Sequence, residues 1–260
     1  MLTMFQIALL TTGLLLTLLN IVGLFMKIRP THIEEKDLRF VKTNYKTSAN
    51  VLKNYNRNTN EHVSEYIARV NHLVYQSFFH IKWNEQKDTY KYNQSVPVFE
   101  NWLLYLLSFT GIGHFKKYHF ANFKRSVKRG IGVCGDACMI LSEMLSKNNI
   151  NSVIVTFPEH VILLVYVHDE HWILDPDFDV YFSLNGKSEL RNLNLTALDS
   201  YRERGYSDYE LKELQRIYSA PYEEWDNVKA LMTKRYYFET LAYTIKWLAP
   251  AALILIAALL

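Results

Sequence analysis

The sequence predicts an α+β domain, a helix packed on an antiparallel sheet, flanked by an N-terminal and a C-terminal transmembrane helix. Two observations predict the flanks: no charged side chain occurs from Met1 to Met26, or from Trp247 to Leu260. A third predicts the middle. Segments with helical spacing give way after residue 148 to short apolar strands joined by tight connections, and hairpin-linked strands form an antiparallel sheet. The 260 residues are 49% hydrophobic and 14% aromatic, with only 2 Cys. That composition supports a sizeable core and excludes a charge-rich disordered chain and a disulfide-stapled miniprotein. The net charge of +3 gives no basis for a nucleic-acid partner.

Ile7 to Met26 is 20 residues, about 30 Å as a helix, which matches a bilayer core. A cleaved signal peptide fits poorly. No Lys or Arg precedes the apolar run, the run is too long, and no A-x-A-like site follows it. At the other end, Trp247 to Leu260 has only 14 residues. Extending it back to Thr240 gives 21 residues and takes in Lys246, which can snorkel. Pro250 is tolerated in a membrane helix, and Tyr236, Tyr237, Phe238, Tyr243 and Trp247 resemble an interfacial aromatic belt. Lys27 and Arg29 follow the first span, Lys234 and Arg235 precede the second, and the outer flanks carry neither residue type. The positive-inside rule then places the central region in the cytoplasm and both termini outside. Two cysteines without an evident bridging partner agree with a reducing compartment. The expected division is residues 1–28 as first span, 29–60 as polar connector, 61–235 as the domain and 236–260 as second span. The lipid bilayer is the expected partner, and the terminal helices offer a surface to another membrane protein.

Within the domain, Glu61 to Ile81 carries Val63, Ile67, Val70, Val74 and Phe78 on one helical face. Asn84 to Pro97 reads as a polar loop, Phe99 to Phe109 as a short core helix, and Asn122 to Gly132 as a basic loop. A helix follows from about Cys134 to Asn148, with Cys138, Leu141 and Leu145 as its buried stripe. Strands are expected at Ser152 to Phe157, Val161 to Val167 and Trp172 to Leu174. His168 to His171 is the expected hairpin turn and Asp175-Pro176 the stop. Ser207-Asp208-Tyr209-Glu210 is a capping box that opens a helix to about Tyr218.

Three residues carry chemistry. Cys134 follows the turn Gly130-Ile131-Gly132-Val133 at a helix start, where the helix dipole favours thiolate. His160 stands just before one strand of the hairpin and Asp175 ends the strand that returns. In an antiparallel pair those two points share one sheet edge, so nucleophile, base and base-orienter can meet there. A lone cysteine on a half-apolar helix is more often packing than nucleophile. Cys138 reads that way, on the buried face. His168 and His171 fall at the opposite end of the sheet, and Glu159 reads as a surface charge. The basic residues Lys124, Arg125, Lys128 and Arg129 suit either a solvated face or an anionic ligand. No cluster has zinc-like sequence spacing, and there is no phosphate loop or dinucleotide fingerprint.

The segments GVCGDACMILSEMLSKNNI and EHVILLVYVHDEHWILDP resemble the transglutaminase-like branch of the papain-like cysteine enzymes. The resemblance covers about Gly130 to Pro176, with a looser helical match from Glu61 to Phe109. It implies Cys134 as nucleophile, His160 as base, Asp175 as orienting acid and Trp172 as the aromatic residue before the acid. The implied activity is thiol-dependent acyl transfer on a peptide or amide substrate, to water or to an amine, with no metal or organic cofactor. There are departures. Val161-Ile162 replaces the usual Trp or Ala after the histidine, Val133 precedes the cysteine where many relatives have Gly-x-Cys, and the upstream oxyanion side chain has no clear match among Tyr118, His119 and Asn122. These departures favour the alternative, a module with weak or lost chemistry kept for binding or assembly at a membrane.

Overall fold

The computed structural model describes residues 2–39, 45–83, 85–167, 170–184 and 198–260. In chain order the helices and strands are α1 (Met4–Phe25), α2 (Ser48–Asn54), α3 (Val63–Tyr75), β1 (Phe79–His80), α4 (Trp102–Leu107), α5 (Gly113–Lys116), α6 (Phe123–Arg129), β2 (Ile131–Gly132), α7 (Cys134–Lys147), β3 (Ser152–Thr156), β4 (Val161–Val167), β5 (Glu170–Asp175), β6 (Val180–Leu184), α8 (Asp199–Glu203), α9 (Asp208–Tyr218), β7 (Glu223–Trp225), α10 (Val228–Leu231) and α11 (Thr233–Leu259). They form two compact units. One gathers Met1–Ile33, Glu85–His119 and Lys234–Leu260, and the other Glu34–Asn84 and Phe120–Thr233.

The first unit holds the two terminal helices. Both are long and apolar enough to cross a membrane, with mean hydropathies of 2.2 and 1.7. α1 starts at a reciprocal cap: Thr3 Oγ1 accepts from the Gln6 amide and Gln6 Oε1 accepts from the Thr3 amide. α1 and α11 run antiparallel, with Gly13 against Pro250 and Ile254 and Asn20 Nδ2 donating to the Lys246 carbonyl at 2.6 Å. α11 is one continuous helix of 27 residues, longer than the predicted span. Lys246 does not snorkel. It is buried, and its Nζ donates to the Glu100 carbonyl at 2.5 Å, a backbone partner within its reach. The expected helix over Phe99 to Phe109 shortens to α4, capped by Asn101, whose side chain accepts from the Leu103 and Leu104 amides. Only Leu104 on it is buried, while Leu106 and Phe109 are exposed.

The second unit is built on a sheet of order β6-β5-β4-β3-β7, antiparallel throughout. α7 packs on β3 and β4, and α3 and α6 pack on α7. The three predicted strands are present. β5 starts two residues early, so His171 pairs with Tyr166 inside the sheet rather than forming the turn. His168 and Asp169 lie outside the described residues. β6 and β7 were not expected: β7 has only 3 residues and exists because β3 offers it an edge. The predicted basic loop is instead α6, for a local reason. The Asn122 side chain accepts from the Lys124 and Arg125 amides, an N-cap. Of its basic residues Arg129 is not solvated. Its guanidinium lies 5.0 Å from the Trp83 ring centre and 4.6 Å from that of Phe120, fully buried. β2, which follows, pairs in parallel with β1.

Cys138, Leu141 and Leu145 are all completely buried, as the helical spacing requires. Leu141→Ala is therefore expected to cost about 2–5 kcal/mol through lost transfer energy and the cavity left behind. Chemical denaturation in detergent measures this, and a loss under about 0.5 kcal/mol, the range of a surface site, contradicts the packing.

Candidate active site

α7 opens at the cysteine. The Val133 amide, just ahead of it, donates to Asp136 Oδ2 at 3.0 Å, which caps the helix. The Asp136 side chain returns so closely that a Cβ on Gly132 would sit 2.7 Å from Asp136 Cβ, so the residue two before Cys134 must be glycine. His160 closes the β3–β4 turn, where its carbonyl accepts from the Phe157 amide at 2.8 Å. Asp175 is the last residue of β5, paired in register with Val180 of β6.

These elements bring the three predicted residues together. His160 Nε2 and Asp175 Oδ2 are 2.6 Å apart, with both side chains buried. Cys134 Sγ lies within 4.8 Å of a ring nitrogen of the same imidazole. Since Nε2 is committed to Asp175, Nδ1 is the nitrogen able to take the thiol proton. Cys134 is 9% exposed and His160 2%, so both residues are nearly withdrawn from solvent. Phe178 stands edge-on to the imidazole with ring centres 5.3 Å apart, and Tyr218 lies across it at 6.3 Å.

Asp175 also takes hydrogen bonds from the Tyr201 hydroxyl (2.9 Å) and the Asp177 amide (3.1 Å). The Tyr218 and Tyr201 hydroxyls are 2.5 Å apart. As the Tyr201 proton points at Asp175, Tyr218 is the donor of that bond. Burial, then the Asp175 charge, raise both tyrosines well above the usual phenol range. Burial alone would lower His160. The Asp175 charge and hydrogen bond, with the Cys134 contact, outweigh it and hold the imidazole well above its ordinary value. Burial, then Asp175, push Cys138 up. Its Sγ lies 3.1 Å from the Val161 carbonyl, which fits packing and not reactivity.

Sequence reasoning missed what surrounds the three. The turn Asp175-Pro176-Asp177-Phe178-Asp179 presents an acid at every second residue, and each holds a different histidine. Asp175 holds His160, Asp177 holds His80 at 2.6 Å, and Asp179 holds His72 at 2.7 Å. Asp179 has φ +59°, a left-handed conformation that aspartate tolerates better than most residues, and Arg204 also binds it at 2.9 Å. The alternation of aspartates was a readable signal; their histidine partners were not, because β1 brings His80 in by tertiary pairing. Asp177 also faces the thiol. Cys134 Sγ, a His160 ring nitrogen and an Asp177 carboxylate oxygen lie within 4.8 Å of one another. Among the described residues this is the group whose spacing and donor types suit a metal such as zinc. Of the proposed oxyanion side chains, Asn122 is used in capping α6, and the Tyr118 hydroxyl donates to Glu239.

A thiol at a helix start beside an imidazole that a buried carboxylate holds is an arrangement suited to a cysteine nucleophile. A model of the transglutaminase-like domain matches residues 46–185, more than half of the chain, and the protein belongs to that family. No curated protein and no solved structure matches the chain.

The raised His160 sets a pH dependence. Its folded-state pKa lies above its unfolded value, so the stability it contributes is fully present below about pH 6.5 and is lost as pH rises through the folded value. The thermal midpoint in detergent is expected to fall as pH rises above 6.5. Asp175→Asn is expected to remove much of that slope; an unchanged slope contradicts the pairing.

Proposed function

We propose that this protein is a membrane-anchored, thiol-dependent acyl-transfer enzyme, a cysteine peptidase, amidase or transamidase. The observation that carries the proposal is the juxtaposition of Cys134 with His160, whose ring is held by Asp175. Cys134 Sγ passes its proton to His160 Nδ1 and attacks the acyl carbon of an amide. The carbonyl oxygen becomes an oxyanion, and the backbone N–H of Cys134 at the α7 start is the donor for it. His160 returns the proton to the departing amine as the C–N bond breaks. Water or a second amine then loses a proton to His160 and attacks the thioester, which restores the thiol. Asp175 stays ionised, orients the imidazole and stabilises its cation. α1 and α11 span the bilayer, and the basic flanks Lys27, Arg29, Lys234 and Arg235 put the central domain on the cytoplasmic side and both termini outside.

The near burial of the thiol, and Val161-Ile162 after His160, favour a second reading, a transglutaminase-like module that binds a membrane partner without turnover. Iodoacetamide labelling across pH decides between them. In the enzyme reading Cys134 labels faster than Cys138 near neutral pH, and His160→Ala slows that labelling by removing the imidazolium. Asp175→Asn keeps the fold and lowers turnover, and Cys138→Ser leaves Cys134 labelling intact. Equal labelling of Cys134 in wild type and His160→Ala, at the rate of an ordinary free thiol, sinks the enzyme reading in favour of the binding module. Carbonate extraction is expected to leave the chain in the membrane pellet. Protease added to intact cells is expected to spare the central domain, and its digestion reverses the orientation.

A further inference from the structure

We infer that residues 98–112 dip into the lipid interface, with Leu106, Phe109 and Ile112 as the inserted face. This rests on the reading of α1 and α11 as membrane spans. Between Val98 and Gly113 the only charged side chain is Glu100, yet Leu106, Phe109 and Ile112 are 56%, 61% and 51% exposed. Leu106 on α4 and Phe109 in the helical turn that follows are three residues apart and fall on one side, and Ile112 comes just after the left-handed Gly111 that ends the turn. An apolar stripe of this kind needs a cover.

Contacts within this unit place the stripe at membrane depth. Asn93 Nδ2 donates to the Ile28 carbonyl at 2.8 Å, at the charged end of α1. Further along, the segment enters between the spans. A Cβ on Gly23 would lie 1.9 Å from the Phe99 carbonyl oxygen, so the backbones meet there only because residue 23 is glycine. The Lys246 ammonium binds the Glu100 carbonyl, and Tyr243 donates to Glu100 Oε1 at 2.7 Å. Gly23 lies four residues before Lys27, about 6 Å inside it along a helix. The chain then returns. Phe115 packs edge-on against Phe238 at 5.6 Å, and Arg235 Nη2 lies 3.0 Å from His114 Nδ1. From Lys246 to Phe238 along α11 is about 12 Å. Residues 99–100 thus meet the helix pair about 6 Å inside Lys27, and residues 114–115 meet α11 about 12 Å from there towards Arg235, so the stripe between them lies near the membrane–water boundary, where aromatic residues prefer to lie. Phe109 is the centre of such a group, with Tyr105 at 5.1 Å and Tyr90 at 6.1 Å. His114, Lys116 and Lys117 follow at once, at the level of headgroup phosphates.

The full-length chain with Cys134→Ala and Cys138→Ala, reconstituted in phosphatidylcholine–phosphatidylglycerol vesicles, tests this with a nitroxide on Phe109→Cys. Leu15→Cys serves as the control within the span and Lys124→Cys as the aqueous control. The expected result is collision with oxygen exceeding collision with a nickel chelate at positions 109 and 15, and the reverse at 124. A position 109 that favours the nickel chelate, with position 15 in lipid, overturns the inference and leaves the anchor standing. Exclusion of both reagents at 109 assigns the stripe to a protein contact and also overturns it. A water-exposed position 15 removes the membrane reading itself. If the cysteine-free chain does not fold, a benzophenone side chain at position 109 of the otherwise unchanged protein gives the same answer. Photolysis is expected to yield a phospholipid adduct by mass, and the absence of one counts against insertion.

Discussion

The second unit is organised around one buried carboxylate. A charge withdrawn from water is tolerated only when its lone pairs are filled, and Asp175, with no exposed surface, is filled from three directions. His160 Nε2, the Tyr201 hydroxyl and the Asp177 amide all reach it. Those donors come from the start of β4, from α8 and from the turn after β5, so satisfying Asp175 fixes the position of each. Tyr218 at the end of α9 then joins through Tyr201. The aromatic rings and aliphatic side chains around this network form one continuous core that includes Phe157, Phe178, Tyr201 and Tyr218. Removing the acid would strand a hydroxyl and an imidazole in that core, which makes the asparagine substitution the informative one, since it keeps an acceptor in place.

The neighbouring acids extend the same logic. Asp177 is as buried as Asp175, and His80 shields it. Its position within 4.8 Å of both the thiol and the imidazole adds negative charge beside the ring that a proton reaches from Cys134. Desolvation of the His160 ring is opposed by the Asp175 charge and hydrogen bond, with the Cys134 contact, and these win. Asp179, by contrast, faces a half-exposed His72 and the exposed Arg204, where solvent screening limits what either pair contributes.

The parts of this site carried by short-range rules were legible in the sequence. The placement of Cys134 at a helix start needed only the glycine turn and the apolar stripe behind it. The meeting of His160 with Asp175 needed only the alternation of two strands and the tight turn between them, because antiparallel pairing sets which ends coincide. Other parts depended on partners distant in sequence. α6 read as a loop because four basic residues mask a short helix whose start depends on one Asn122 side chain. β1 and β2 are two-residue strands, below what any periodicity can reveal, yet they deliver His80 to Asp177. β7 exists only as an addition to β3.

The terminal helices show the same division. Hydropathy alone located both, but it gave no partner for Asn20 and led to the expectation that Lys246 snorkels. In lipid an unpaired amide or ammonium is costly. Each is paired here with a backbone carbonyl, Asn20 with that of Lys246 and Lys246 with that of Glu100. The two polar residues therefore act in series, joining α1 to α11 and α11 to the 85–119 segment. Snorkelling would have satisfied the lysine equally well without joining anything. The observed choice ties the segment to the helix pair at Glu100.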